Sequence, residues 1–292
     1  MKIAVAGASG VIGQMLLPML VQAGHEVVGF TRNPDQALKL KEKGVQSALL
    51  DVLDREAVFA ALRETKPDVV IHQLTSLSTR SFADNTRIRK EGTRNLVDAA
   101  LAAGVGKMIA QSISWAYAPG EGPAAEDCPL DLDAPPPRNT TIEGVHALET
   151  AVADMPNYII LRYGLFYGYG TWYAPGGYMA EQVRQGLLPA TDGVSSFVHI
   201  DDAARAAVLA LQWPSGCYNI VDGEPAAGTK WLPVYADALG APAPGVQPGH
   251  AAWERGALNG KALQHGWKPR YASWRDGFRL ALGSGSSQDP RG

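Results

Sequence analysis

The sequence predicts an α/β fold, with a doubly wound parallel sheet and a small C-terminal lobe that caps a substrate. Three observations predict it. Strand-like and helix-like segments alternate through the first two-thirds of the chain, and a glycine-rich turn joins the first strand to the first helix. After about Tyr163 the sequence changes to aromatic and glycine-rich segments. Alternation of this kind is typical of parallel strands connected by helices.

The alternation begins with one strand–helix–strand unit. KIAVAG at 2–7 is rich in β-formers, and VIGQMLLPMLVQAG at 11–24 has apolar residues at helical spacing and ends in glycine. HEVVGFTR then returns to a strand pattern. The order continues in the segments SALLDV, REAVFAALRET, DVVIHQL, TRNLVDAALAAG and KMIAQSI. These segments predict a sheet of the Rossmann type.

The chain is expected to form one unit over 1–282. Its Rossmann core lies mainly in 1–165, and the capping segments lie mainly in 166–282, interleaved with returning core segments. GTKWLPVYADALG and GHAAWERGALNGKALQHG are predicted to be later helices. The tail 283–292, GSGSSQDPRG, has the composition of a flexible terminus.

Composition indicates an ordinary globular protein. Hydrophobic residues make up 46% and charged residues 19% of the 292 residues, and the net charge is -3. Without a dense basic run, nucleic-acid binding is not expected. The chain has neither a signal-peptide pattern nor an apolar run of ~20 residues, so we expect a cytoplasmic protein that does not enter a membrane.

Disulfides and metals are not expected either. The two cysteines, Cys128 and Cys217, are too few for a disulfide framework or a four-ligand zinc site. His, Cys, Asp and Glu do not occur at metal-ligand spacing. The sequence therefore predicts two unpaired thiols and no metal.

The stretch GASGVIG indicates a phosphate-binding turn. Gly7, Gly10 and Gly13 follow the first strand and open the first helix. Glycine is required where the chain turns tightly and where backbone approaches a pyrophosphate, and the helix N-terminus supplies N–H groups. The residues predicted to contact the cofactor here are Gly7, Ser9, Gly10, Val11, Ile12 and Gly13.

The end of the second strand favours NADPH. An acidic residue at this position usually binds the adenosine ribose of NAD, whereas this strand ends in FTRN. Thr31 and Arg32 place no carboxylate against a 2′-phosphate, and a guanidinium is well shaped to bind one. NADPH is therefore the predicted cofactor, with NADH as the alternative if Arg32 is only a solvated surface residue.

The spacing G-x-x-G-x-x-G resembles the extended and atypical short-chain dehydrogenase/reductases, which include nucleotide-sugar epimerases and dehydratases. LLDVLD, NTRIRKEGTRNLVDAA, LRYGLFYGYG, FVHIDDAARA, YNIVDG and LQHGWKP resemble later family segments in the same order. The resemblance implies that Asp51 and Val52 contact adenine. It also implies cofactor contacts from Leu74, Thr75 and Tyr163.

The chain departs from the family at the catalytic residues. The family uses a Tyr-x-x-x-Lys pair with an upstream Ser or Thr, and the matching positions here are Thr141, Val145 and Ile113. No lysine occurs between Lys107 and Lys230. A threonine hydroxyl is a poor acid at neutral pH. Either the chain has become a cofactor-binding sensor, or hydride transfer continues with a proton from water or from a substrate hydroxyl.

The predicted pocket is aromatic. Sugar pockets need more carboxylates, amides and basic groups, whereas aromatic side chains suit a flat polycyclic substrate. The predicted substrate-binding residues are Ser114, Trp115, Tyr117, Trp172 and Tyr173. Tyr117 also matches a position that is often structural in the family. His146 and His199 are not predicted to be catalytic.

The pattern resembles the atypical extended reductases of actinomycete secondary metabolism, such as the simocyclinone-type angucyclinone ketoreductases, which also depart from the Ser-Tyr-Lys arrangement. This resemblance implies NADPH-dependent reduction of a ketone on an aromatic polyketide in antibiotic biosynthesis. The alternatives are a nucleotide-sugar epimerase or dehydratase, which the missing tyrosine and lysine argue against, and a non-catalytic NADP sensor.

Overall fold

The computed structural model describes residues 1–76 and 81–282. The predicted flexible tail, 283–292, lies outside the described residues. The chain divides into two compact units whose segments interleave. Among the described residues, the first unit contains 1–113, 130–162 and 204–218, and the second contains 114–129, 163–203 and 219–282.

A seven-stranded sheet organises the first unit. Its strand order is β10-β6-β5-β4-β1-β2-β3, and β1 pairs in parallel with both β2 and β4. The β2–β3 and β4–β5 pairs are also parallel. The strands are β1 Lys2–Ala6, β2 Glu26–Thr31, β3 Gln46–Leu49, β4 Val69–His72, β5 Lys107–Ile113, β6 Tyr158–Tyr163 and β10 Gly216–Ile220. This order confirms the predicted Rossmann-type fold.

Helices connect these strands as the sequence pattern predicts. A π-helical turn, Ile88–Gly92, joins two of them, α4 and α5, in one helical run. Side-chain caps begin two others, since Asn33 accepts from the Asp35 and Gln36 amides and Asp54 accepts from the Ala57 amide. The helices are α1 Val11–Gln22, α2 Pro34–Glu42, α3 Arg55–Thr65, α4 Phe82–Arg87, α5 Thr93–Ala102 and α6 Arg138–Val152.

The core of the first unit lies where helices cover the sheet. Ile3, Ala4 and Val5 of β1 are fully buried, as expected for a strand with both faces covered. Leu96, Val97 and Ala100 of α5 pack in the same apolar cluster as Leu148 of α6. This packing fixes α5 and α6 as the helices beside the predicted catalytic positions.

The second unit has an aromatic core. Tyr167, Tyr173, Phe197, Trp231 and Phe278 belong to one buried cluster. Two short strand pairs, β7–β9 and β8–β11, lie within this unit. Its elements are β7 Leu165–Tyr167, α7 Tyr178–Arg184, β8 Val194–Ser195, β9 Phe197–His199, β11 Ala226–Ala227, α9 Gly228–Ala238, α10 Gly260–Gln264 and α11 Trp274–Leu282, while α8 Ile200–Leu209 crosses the boundary between the units.

Candidate active site

The glycine turn after β1 has no room for side chains. Gly7 has φ +92°, and a Cβ added there would lie 2.7 Å from the carbonyl carbon and oxygen of Gln73. A Cβ on Gly13 would lie 2.3 Å from the Gly7 oxygen. Gly10, the residue before α1, provides no side-chain cap, and the first turn contains no acidic residue. The N–H groups at this helix end are therefore suited to bind a phosphate.

Gln73 gives a second sign of a ligand at this turn. It follows β4, its amide N–H donates to the Ala6 oxygen at 2.8 Å, and its side chain is buried. Among the described residues, neither Nε2 nor Oε1 of Gln73 has a hydrogen-bond partner. Buried amides nearly always have partners, so an unpaired one beside the glycine turn fits a bound polar ligand. The residues of the first unit thus fit a dinucleotide cofactor.

The other predicted cofactor residues of this turn and of β2 are placed consistently with that role. Ser9 Oγ lies 3.4 Å from Oγ1 of the buried Thr31, and the Ser9 carbonyl accepts from Gln14 Nε2 at 2.9 Å. Val11 is exposed, whereas Ile12 is buried under the helix start. Arg32 is exposed, and no described residue accepts a hydrogen bond from it. Its guanidinium is therefore available to a ligand.

The predicted adenine and mid-cofactor contacts follow β3 and β4. Asp51 is exposed and its Oδ1 accepts the Leu53 amide at 2.9 Å, while Val52 is buried. Leu74 and Thr75 are half-buried directly after β4. These residues lie at the carboxyl ends of parallel strands, which is where open α/β sheets bind ligands.

The three family catalytic positions carry no acid or base. Ile113 ends β5 and Val145 is buried in α6, and both are apolar. Thr141 is half-buried in the first turn of α6. His146, one residue after Val145, is exposed on another face of the helix. A tyrosine–lysine pair is therefore absent from α6.

A buried carboxylate occupies the next turn of α6. Glu149 Oε1 accepts a hydrogen bond from Ser112 Oγ at 2.7 Å and one from Arg162 Nε at 2.9 Å. The second oxygen of Glu149 accepts from an Arg162 terminal nitrogen at 2.6 Å. Because Ser112 donates its one hydroxyl proton to Glu149, it is not a free proton donor for a substrate.

Sequence reasoning missed two buried groups beside this network, His72 and Arg89. His72 Nδ1 accepts the Leu74 amide at 3.2 Å and Nε2 lies 2.9 Å from Thr93 Oγ1. Burial, with a smaller effect of the Arg89 charge, lowers the pKa of His72 to about 4. Arg89 is only 4% exposed. The spacing of Asn85, Arg89 and Thr93 at intervals of four is the sequence signal that could have found Arg89.

The predicted substrate residues belong to the second unit. Tyr117 is buried and its hydroxyl donates to Asn219 Oδ1 at 2.6 Å, while Tyr173 is packed in the aromatic core and burial raises its pKa. Trp115 and Trp172 are half-buried, with ring centroids 6.5 Å from Trp253 and 5.9 Å from Tyr178. Tryptophan rings, rather than tyrosine rings, thus keep exposed surface in this set.

Ser114, Tyr163 and His199 are also packed within the second unit. The Ser114 amide donates to the Tyr163 carbonyl at 2.9 Å, and the Tyr163 hydroxyl donates to the Ala203 carbonyl at 3.4 Å. His199 stacks on Tyr271 with ring centroids 3.9 Å apart. Burial lowers the pKa of His199 to about 4, so the ring is neutral near pH 7.

Metal-ligand groups, membrane-spanning helices and disulfides can be compared with the sequence predictions over the described residues, 1–76 and 81–282. Within these ranges, His, Cys, Asp and Glu form no group of three or more that could hold a metal ion. Over the same ranges, each helix is too short or too polar to cross a bilayer. Neither Cys128 nor Cys217 belongs to a disulfide in the described chain.

Comparison with known proteins identifies the class. Residues 3–220 match the NAD dependent epimerase/dehydratase family. A Streptomyces protein named 3-diazoavenalumate denitrifying reductase is 43% identical over 307 residues, which cover 95% of this chain and 99% of the relative. The 2-alkyl-3-oxoalkanoate reductase of Stenotrophomonas maltophilia is 30% identical over 83% of this chain and 77% of its own.

A solved structure agrees with this class. The UDP-glucose 4-epimerase of Thermus thermophilus, in complex with NAD, aligns with a TM-score of 0.75 at 28% identity, covering 97% of this chain and 98% of its own. The chain belongs to the NAD-dependent epimerase/dehydratase family. The family match and the relatives named as reductases support an NAD(P)-dependent oxidoreductase or epimerase, which confirms the predicted enzyme class and nicotinamide cofactor.

Proposed function

We propose that this chain transfers a hydride from NADPH to an aromatic substrate without a protein proton donor, and that the substrate is an aromatic diazo compound. The observation that carries the proposal is the combination of an intact cofactor cradle with Thr141 and Val145 at the tyrosine and lysine positions. The 43% identical relative, named as a denitrifying reductase, supports the same chemistry.

Reduction of an aryl diazonium group suits a site of this composition. The reduced nicotinamide supplies a hydride, the carbon–nitrogen bond breaks, nitrogen leaves as N2, and hydrogen takes its place on the ring. For a diazonium cation the net change consumes one hydride and no proton, so a general acid is not required. The protein has to bind the substrate, orient it against the nicotinamide and exclude water. Orientation alone contributes about 7–11 kcal/mol in favourable cases.

Gly7, Gly10 and Gly13 would hold the pyrophosphate, and Arg32 would bind the 2′-phosphate of NADPH. Trp115 and Trp172 would contribute aromatic surface for the substrate. An epimerase or dehydratase reaction is not proposed, because those reactions use the tyrosine and lysine that α6 lacks.

Ketone reduction on an aromatic polyketide, such as an angucyclinone, is the second candidate. It is favoured by the resemblance of the sequence to atypical angucyclinone ketoreductases. This reaction does consume a proton, which a phenol of the substrate beside the ketone would supply. Methylation of that phenol should then abolish turnover while the ketone still binds.

Product analysis with purified protein and NADPH tests these candidates. An ortho-hydroxyaryl diazonium salt and a panel of angucyclinone and quinone ketones are supplied separately, and loss of the reduced-nicotinamide absorbance is recorded. Isotope-labelled N2, released in equal amount to NADPH consumed, would establish the diazo reaction. NADPH binding without oxidation on either panel would contradict both candidates and favour a cofactor sensor.

A further inference from the structure

Arg89 is a buried cation without a protein partner among the described residues. It lies on the π-helical turn Ile88–Gly92 and is only 4% exposed. No described residue forms a hydrogen bond or an ion pair with its guanidinium. A guanidinium carries five donors and stays protonated, and burial lowers the pKa of Arg89 only to about 10. A nearly buried guanidinium without a hydrogen-bond partner in the described chain is suited to bind an acceptor of a ligand.

The surroundings of Arg89 place it at the cofactor-binding edge of the first unit. Its charge acts on His72, the last residue of β4, and the segment after His72 contains Gln73 with its unpaired side chain. On the other side, a Cβ added at Gly144 of α6 would lie 3.4 Å from Arg89 Cδ. Gly144 directly precedes Val145, so the Arg89 side chain packs beside the position where the family has its lysine.

Glu149, the acid whose charge acts on Arg89, is already neutralised by another residue. Both of its carboxylate oxygens accept from Arg162, and one also accepts from Ser112. His72 is neutral at pH 7 because its pKa is lowered to about 4. The group of Glu149, Arg162, His72 and Arg89 therefore carries one excess positive charge. Short π-helical turns are frequent at functional sites, where they redirect a side chain.

We propose that Arg89 supplies the cation beside the position of the missing lysine and donates hydrogen bonds to the nicotinamide half of the cofactor. The inference concerns cofactor binding. It rests on the proposed hydride-transfer function only because that reaction would use the bound cofactor. Arg89 reaches the site from the helix beside α6, so the family's cation is supplied by a different element of the fold. The residue would then fix the nicotinamide half, while the glycine turn holds the pyrophosphate.

Binding measurements on Arg89→Met and Arg89→Lys test this role without any substrate. Calorimetry compares NADPH with 2′,5′-ADP, a fragment that has the adenosine half but no nicotinamide ribose. Arg89→Met should weaken NADPH binding about tenfold to hundredfold and change 2′,5′-ADP binding by no more than about twofold. Arg89→Lys should lose less NADPH affinity than Arg89→Met. Arg87→Met is the matched control, because Arg87 lies nearby on the same helical run, is exposed and pairs with Glu91.

A rescue variant separates a cofactor contact from a structural role. Arg89→Met combined with Val145→Lys restores a cation at the family position and should recover NADPH affinity. If Arg89→Met does not fold, Arg89→Gln, which keeps donors but no charge, replaces it in both comparisons. Unchanged NADPH affinity, or equal losses for NADPH and 2′,5′-ADP, would overturn the proposal. These experiments measure binding and no turnover. The result for Arg89 is therefore independent of whether the diazo or ketone reaction occurs.

Discussion

At the scale of single residues, Arg32 is the proposed contact to the adenosine half of the cofactor. It follows Thr31 at the end of β2, is exposed, and makes no hydrogen bond within the described chain. No carboxylate occupies the position that would bind a ribose hydroxyl of NADH. The side chain is therefore free to form a charged pair with a 2′-phosphate.

Replacement of Arg32 by alanine should remove the preference for NADPH. A charge-assisted hydrogen bond contributes roughly 1.5–3 kcal/mol, so NADPH affinity should fall about tenfold to hundredfold and NADH affinity should hardly change. Titration of both cofactors against the wild type and Arg32→Ala measures this. Equal affinities in the wild type would show that Arg32 does not select the cofactor.

At the scale of one element, α6 shows how a helix can lose its catalytic side chains and keep its structural role. Thr141, Val145 and Glu149 follow one another at intervals of four and lie along one face. Only Glu149 keeps a polar function, and its carboxylate joins β5 through Ser112 and β6 through Arg162. The helix is thereby fixed to the sheet without a tyrosine or a lysine.

Replacement of Glu149 by glutamine should be strongly destabilising. It leaves the buried Arg162 without its counter-charge, and breaking a buried ion pair costs about 3–5 kcal/mol. The matched control on the same helix is Glu143→Gln, whose partner Lys90 is exposed and whose pair is worth less than about 1 kcal/mol. Urea unfolding of both variants measures the difference. Similar losses would mean that the Glu149 pair contributes no more than a surface pair.

At the scale of the whole molecule, the buried histidines should reduce stability on acidification because they are neutral in the native state. The pKa of His72 is lowered to about 4 when folded, against 6.5 when unfolded. Below pH 6.5 the unfolded chain binds the proton more readily, so stability is lost as pH falls toward 4. His199, whose pKa is also lowered to about 4, contributes in the same direction.

The contribution of His72 can be separated by substitution. Between about pH 7.5 and about pH 5, His72 should account for roughly 2 kcal/mol of the lost unfolding free energy. The His72→Asn variant should lose roughly 2 kcal/mol less unfolding free energy than the wild type over this interval. His199 contributes equally in both proteins. Chemical unfolding at the two pH values gives the comparison. Parallel pH profiles for wild type and variant would contradict a neutral, buried His72.

Sequence alone determined the fold class, and it predicted the nucleotide-binding turn and the absence of the catalytic pair. These depend on local patterns: apolar periodicity fixes strands and helices, and glycine spacing fixes where backbone can approach a phosphate. The absence of a tyrosine at 141 and a lysine at 145 is visible from the same resemblance. Family membership over residues 3–220 agrees with these local signals.

Only the tertiary structure decided which polar residues are buried and whether they have partners. Ser112 can be a proton donor by its residue type, but Glu149 accepts its hydroxyl proton. Arg89 lies in the charged stretch IRKEG, a composition typical of exposed helix faces, yet packing against α6 buries it. Desolvation and hydrogen-bond satisfaction depend on contacts between residues far apart in the chain, so sequence periodicity could not distinguish a surface arginine from this one.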